Sequence, residues 1–309
     1  IELPTRGSKA ESDISWSSSD ESIITKEGKV TRPESGQADS KGTLTATVKN
    51  GGVTLTKEFV VTVTAQKDMT NLEYFDNDKV VVTDEYYQNA LELDVQNLLK
   101  LDADRLLAGF RETAGYAAGM SDKDIESYMK NKKRYEGGWE NSLIGGHTLG
   151  HYMSAVAQGI VNPGVTAEEK EKLTERLNYI IDALNDCQKK TEGVNGLEGY
   201  IFGATLPNSS FKKNVALQFD NVEKGRANIA TEAWVPWYTM HKILAGLVDS
   251  YQIAGNKTAI EVANKLGTWI ADRANNWSSS TQSTVLGIEY GGMNDALYQL
   301  YKVTDASNK

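Results

Sequence analysis

The sequence predicts a multidomain chain: a small β-sandwich followed by part of an α/α toroid. Three observations carry that prediction. Residues 1–66 are rich in Ser, Thr, Gly and Val, with apolar and polar positions alternating by twos, the period of half-buried strands. From about Asp84 onward the apolar residues recur at helical spacing instead. The successive helical segments then alternate in character, one rich in glycine, aromatic and imidazole groups, the next ordinarily amphipathic. An α/α toroid requires such an alternation, because inner helices are covered on all sides and outer ones present a charged face to water. The boundaries are a β module over 1–66, a linker and short strand over 67–83, and a helical domain over 84–309.

Within the first module, strands are expected at DISWSSS (13–19), SIITKEGKV (22–30), GTLTATVKN (42–50) and VTLTKEFVVTVTA (53–65). Asn50, Gly51 and Gly52 tolerate positive φ and supply a hairpin turn between the last two, and KEGK (26–29) supplies another. The stretches ISWSSSD, EGKV and LTATV resemble those of bacterial immunoglobulin-like modules, a resemblance covering about the first 65 residues. It implies a spacer or display role at the bacterial surface or in secreted proteins, and no chemistry.

After the linker, KVVV (79–82) is expected as one more strand, with Thr83 or Asp84 capping the helix that follows. The first helix spans about 84–101 and is able to continue through DADRLLAGFRETAG (102–115). The second is GGWENSLIGGHTLGHYMSAVAQGIV (137–161). The third, 166–190, opens with Thr166 and Glu169 in capping-box spacing and ends in lysines. A long irregular stretch, 191–233, precedes the fourth helix, 234–255, which Gly255 closes. A connection of that length is usually functional or disordered. The fifth helix covers 256–277 and the sixth opens at EYGGMNDALYQLYKVT (289–304). Six hairpins close a toroid, about twice the helices present, so the helical part corresponds to roughly half of one or to a smaller open bundle.

Composition excludes several functions. With 33 Lys plus Arg against 42 Asp plus Glu, a net charge of -9 and no basic cluster, nucleic acid is not an expected partner. No apolar run approaches the ~20 residues that span a bilayer. The first residues lack the blocks of a signal peptide, so the chain reads as mature or excised. The single cysteine, Cys187, excludes an internal disulfide framework and a cysteine-rich zinc site made by this chain alone. It lies late in an outer helix with no histidine nearby in sequence and reads as structural.

The chemistry-bearing groups fall on the inner helices. They are Trp139, Glu140, His147 and His151 on the second; Trp234, Trp237, Tyr238 and His241 on the fourth; and Glu289, Tyr290, Asn294 and Asp295 on the sixth. Aromatic rings beside imidazole, amide and carboxylate groups suit a sugar, whose apolar face stacks on the ring while its hydroxyls are satisfied by the polar groups. HTLGH is not a zincin motif, since Thr148 stands where the glutamate belongs. Glu140, Glu198, Glu232 and Glu289 are all candidates for the carboxylate pair of a glycosidase, and spacing alone does not choose among them. Trp269 and Trp277 lie on or beyond an outer helix and read as packing.

Four stretches together, LDADRLLAGFRETAG (101–115), GGWENSLIGGHTLGHYMSA (137–155), WVPWYTMHKILAGLVDSY (234–251) and EYGGMNDALYQLYKVT (289–304), resemble in order the β-L-arabinofuranosidase family, glycoside hydrolase family 127. The resemblance runs from about residue 72 to the end. It implies the first half of an (α/α)6 barrel that releases L-arabinofuranose from plant-type glycans with retention, and an extracellular or cell-surface bacterial location. It also implies a zinc-held cysteine thiolate as nucleophile and a glutamate as acid/base, in an E-x-C motif and a later cysteine region. Neither motif is present here, so the catalytic groups are expected beyond Lys309, zinc only in a full-length member, and no metal or cofactor on this chain. The family's sugar-contacting histidine corresponds to His241 in YTMHK, and Tyr290 stands where many members carry histidine. The expected substrate-binding set is therefore Trp139, His147, Trp237, His241, Glu289, Tyr290 and Asn294, with His151 mainly structural. The partner is an arabinose-containing carbohydrate. Two other readings remain open: a non-catalytic glycan-binding or adhesin module, and a polysaccharide lyase-like toroid, whose cleft would use Arg or Lys and here finds little beyond Lys242.

Overall fold

The computed structural model describes residues 1–8, 12–66, 75–114, 134–135, 137–194, 196–204, 206 and 215–304. They fall into two compact units, Ile1–Tyr74 and Phe75–Lys309.

The first unit holds one antiparallel sheet of order β1-β2-β3, formed by β1 (Asp13–Ser18), β2 (Ser40–Asn50) and β3 (Val53–Val63). The register pairs Trp16 with Ala46 and Leu44 with Phe59, so every second residue shares the face on which Leu44 and Ala46 are buried. The Asn50–Gly51–Gly52 turn joins β2 to β3 as expected. The strand expected over 22–30 is reduced to a single bridge between Ile24 and Val30. Ser22 N–H and hydroxyl both bond Asp20 Oδ1, and this local turn draws the backbone away from a ladder. Ile24 is nevertheless buried.

In the second unit, the strand expected at 79–82 does not form. Asn77–Lys79 is a single 3-10 turn, and Val80, Val81 and Val82 are exposed and irregular, since β-branched residues alone make no strand without a partner to complete the ladder. The linker residues 67–74 lie outside the described residues.

The first expected helix is two. Helix α1 (Glu85–Lys100) starts at Asp84, whose side chain accepts from Tyr87 N–H, and stops at extended Leu101. Helix α2 (Ala103–Thr113) starts at Asp102, whose carboxylate accepts from the N–H groups of Asp104 and Arg105. The capping aspartate in the middle of the apolar period makes the break. Helix α3 (His147–Val161) starts ten residues later than expected, because the preceding segment turns through Gly137, Gly138 and Gly146, all at positive φ. Helix α4 (Ala167–Lys189) has the predicted capping box: Thr166 Oγ1 accepts from Glu169 N–H, and Thr166 N–H donates to Glu169 Oε2.

Two short helices were not anticipated. Helix α5 (Leu217–Glu223) lies inside the stretch read as irregular, and α8 (Ser279–Ile288), capped by Ser278, precedes the last helix. Helix α6 (Pro236–Gln252), α7 (Lys257–Asn275) and α9 (Gly292–Val303) match expectation to within three residues at either end.

Helices α3, α6 and α9 pack side by side in that order, with α4 behind α3 and α7 behind α6. The glycine- and aromatic-rich helices thus form one layer and the amphipathic ones a second layer behind it. The closest approach is between α3 and α6, where each helix offers a glycine. A Cβ on Gly150 would lie 2.2 Å from Lys242 O, and one on Gly246 would lie 2.5 Å from Gly150 O. No side chain fits there, so the two helices meet backbone to backbone. Cys187 is fully buried on the core face of α4 beside Leu184, and burial pushes its thiol up to about 12, in keeping with the structural reading.

Candidate functional site

The site lies at the N-terminal ends of α3 and α6, and both helices start unusually. Their N-cap residues, Gly146 and Val235, are in the left-handed region and make no side-chain cap. A helix start leaves backbone N–H groups without partners, and in each case a glutamate from another segment supplies an acceptor. Glu140 Oε2 accepts from Gly146 N–H at 3.1 Å. Glu289 Oε2 accepts from Tyr238 N–H at 2.9 Å. In both carboxyls the other oxygen, Oε1, is buried without a hydrogen-bond partner among the described residues. Val235 is the one described non-glycine residue at positive φ, and strain of that kind persists where the surroundings hold it.

Between these two caps runs a chain of rings. Trp139 lies 5.0 Å from His147 by ring centroid, His147 6.1 Å from His151 and 6.3 Å from Tyr238, and Tyr238 5.5 Å from His241. Trp139 and Tyr238 are exposed, whereas His147 is buried with Nδ1 3.2 Å from Ile144 O. His147 Nδ1 also lies 3.7 Å from Glu140 Oε1. The imidazole expected to be structural, His151, is the exposed one of the pair, and His147 is the one enclosed. Four-residue spacing puts both on one face, but His147 begins the helix under the 137–146 turn while His151 lies one turn further along.

His241 is half-buried. Its imidazole is held below the ordinary histidine range, first by burial and then by the nearby Lys242 ammonium, with the same two causes acting on His151. Both rings are therefore neutral at pH 7, each with one donor and one acceptor nitrogen. The start of α9 presses directly on His241, since a Cβ on Gly292 would lie 2.3 Å from its Cε1. Tyr290 is almost fully exposed, and Asn294 is exposed one turn along.

Glu289 is only 8% exposed. Burial pushes its carboxyl up to about 7, with the N–H groups of Tyr238 and Trp237 opposing the rise. The folded protein thus holds this proton more tightly than an unfolded glutamate of ordinary value 4.5. Its contribution to stability is complete below pH 4.5 and is lost as pH rises toward 7, by about 3 kcal/mol. Thermal unfolding of Glu289→Gln should show a flatter pH dependence over that interval. An unchanged slope would show that Glu289 is not the group responsible.

Trp237 points elsewhere than the ring chain. It is buried against Phe219, Trp269 and Trp277, at ring distances of 4.8, 6.2 and 5.4 Å, and it also lines a cavity of about 420 Å³ together with His241, Glu289, Tyr290 and Asn294. Trp269 is a buried packing residue as read, whereas the half-buried Trp277 packs on Trp237 and also lines the cavity. Glu198 and Glu232 hold turns, accepting from Gly196 and Asn228 N–H respectively. Trp234 N–H donates to Gln218 Oε1, and Gln218 Nε2 donates to Leu143 O. Gln218 thereby ties the loop before α3 to the entry of α6, a role no sequence motif announces. Arg134 acts similarly, bonding Glu112 Oε2 and Glu140 O.

Among the described residues no cluster of three or more His, Cys, Asp or Glu side chains is placed to hold a metal ion, and the buried Cys187 thiol, with Asp186 beside it, is not joined there by the further donors that a zinc–thiolate centre needs. No helix of the described residues is long and apolar enough to cross a membrane.

The chain matches no curated protein closely enough to compare. Two family models match it: an atrophied bacterial Ig domain over residues 1–66, and the β-L-arabinofuranosidase GH127 catalytic domain over residues 79–308. The second match covers well over half of the sequence and includes every ring and carboxylate of the site. The chain therefore belongs to glycoside hydrolase family 127 and carries an atrophied bacterial Ig domain ahead of its helical domain.

Proposed function

We propose that the helical domain recognises an L-arabinofuranosyl unit of a glycan on the wall formed by the starts of α3, α6 and α9. The observation that carries this reading is the run Trp139, His147, Tyr238 and His241 across the starts of two adjacent helices, flanked by carboxyls whose Oε1 atoms have no hydrogen-bond partner among the described residues. The exposed faces of Trp139 and Tyr238 offer stacking surface to a furanose. His241 and His151, both neutral, offer a donor and an acceptor each to its hydroxyls. The atrophied Ig domain supports a place at the bacterial surface or outside the cell. Among the described residues no Lys or Arg lines the cavity beside His241, while the Lys242 ammonium stands by the wall, 5.1 Å from the Tyr238 ring centre.

Binding without cleavage is the reading we favour for these 309 residues. The only cysteine has a buried thiol pushed up to about 12, so it supplies no thiolate at neutral pH. Titration calorimetry with methyl β-L-arabinofuranoside should give saturable binding, and a reducing-sugar assay on the same mixture should show no released arabinose. Absence of binding would sink the sugar reading. Arabinose release would show that a group within this chain performs the chemistry.

A further inference from the structure

The cavity beside His241 is larger and more apolar than a furanose needs. Its volume of about 420 Å³ falls within the ~300–1,000 Å³ of small-molecule sites. The lining divides by element. The first two turns of α6, the segment before α9 and the first turn of α9 contribute Tyr238, His241, Tyr290 and Asn294, which belong to the sugar wall described above. The C-terminal half of α7, the segment after it and α8 contribute Ile270, Ala274, Trp277, Val285 and Leu286. Trp237 and Glu289 stand between the two sets, and both are more than nine-tenths buried. Among the described residues Trp237 Nε1 and Glu289 Oε1 have no hydrogen-bond partner, and both atoms are closed off from solvent, so the surface that the cavity offers a ligand between the two sets is apolar.

We propose that this cavity is a subsite for an uncharged aromatic group joined to the sugar through an oxygen, so that the substrate class is an aryl- or arylalkyl-substituted L-arabinofuranoside. This rests on the arabinofuranosyl reading of the adjoining wall. The ring of the substituent packs on Trp277, Ile270 and Val285, in the offset and edge contacts aromatic pairs prefer. Among the described residues the lining has no lysine or arginine, so an anionic substituent finds no counter-charge there. Joining the two pieces should tighten binding beyond either alone, since the second contact becomes intramolecular.

The test compares methyl β-L-arabinofuranoside, benzyl β-L-arabinofuranoside and free benzyl alcohol by titration calorimetry on the full chain. The benzyl glycoside is expected to bind at least tenfold more tightly than the methyl glycoside. Leu286→Asp, at an exposed position on the cavity's lining, and Ala274→Trp, which fills the space, should each abolish that advantage and leave methyl glycoside binding unchanged. Equal affinity of the two glycosides for the unmodified chain, or an advantage that survives both substitutions, would overturn the subsite. If neither glycoside binds but benzyl alcohol does, and Ala274→Trp removes it, the arabinofuranosyl reading fails while the aromatic cavity stands. If none of the three binds, both fail.

Discussion

Replacing Gly150 with alanine should destabilise the helical domain by about 3 kcal/mol, the upper part of the usual range for overpacking. The added methyl would be built 2.2 Å from Lys242 O and 2.8 Å from Ile243 N. The obstacle is backbone, which cannot rotate away as a side chain can. Relief requires α3 and α6 to separate, and those two helices carry His147, Tyr238 and His241. The substitution is therefore expected to lower the unfolding temperature and weaken arabinofuranoside binding together. Gly287→Ala is the matched control, since a Cβ there meets nothing within 4 Å. Chemical denaturation of the two variants measures the difference, and a Gly150→Ala protein as stable as the control would show that the helices do not meet as described.

His241→Ala should abolish measurable binding of methyl β-L-arabinofuranoside while leaving the fold intact. The ring is half-buried, neutral, and flanked by Tyr238 on one side and the start of α9 on the other. Its removal takes away a hydrogen-bonding group held in place by two helices, a loss of ~1–3 kcal/mol per contact. His241→Asn, which keeps one donor and one acceptor, should recover part of the affinity. Circular dichroism on both variants checks that the loss belongs to the site. An alanine variant that binds as the unmodified chain does would remove His241 from the wall.

The sequence made the long elements readable because their signals are local. The Thr166–Glu169 capping box, Pro236 at the start of α6 and the apolar period of α4 each act within a turn or two, so residue order alone reveals them. The alternation of glycine and aromatic helices with amphipathic ones likewise foretold which helices pack side by side. Where the reading slipped, the deciding contact was distant. The Val80–Val82 run looks like a strand until the absence of a ladder partner is seen. The break at Leu101–Asp102 was legible in principle, because an aspartate before Ala103 is a capping signal, but the continuous apolar period obscured it. Helix α8 went unread, since its Ser- and Thr-rich start resembles a loop.

The site shows the same division. That Trp139, His147, His241 and Glu289 matter together followed from composition and motif order, yet their jobs did not. Glu289 was read as a sugar ligand, and its geometry shows a carboxyl that caps α6 from 51 residues away. Glu140 does the same for α3. Neither role has a signature in sequence, because an acceptor supplied from another segment leaves the helix start itself looking uncapped. Gln218 was missed for the same reason, its two bonds reaching Leu143 and Trp234 across the fold.

The central claim is that the starts of α3, α6 and α9 form the sugar-binding wall. A crystal structure of the chain with methyl β-L-arabinofuranoside tests it most directly. The account predicts a furanose in contact with Trp139 or Tyr238 and hydrogen-bonded to His241. Well-ordered sugar bound elsewhere, with the Trp139–His241 wall left bare, would contradict it.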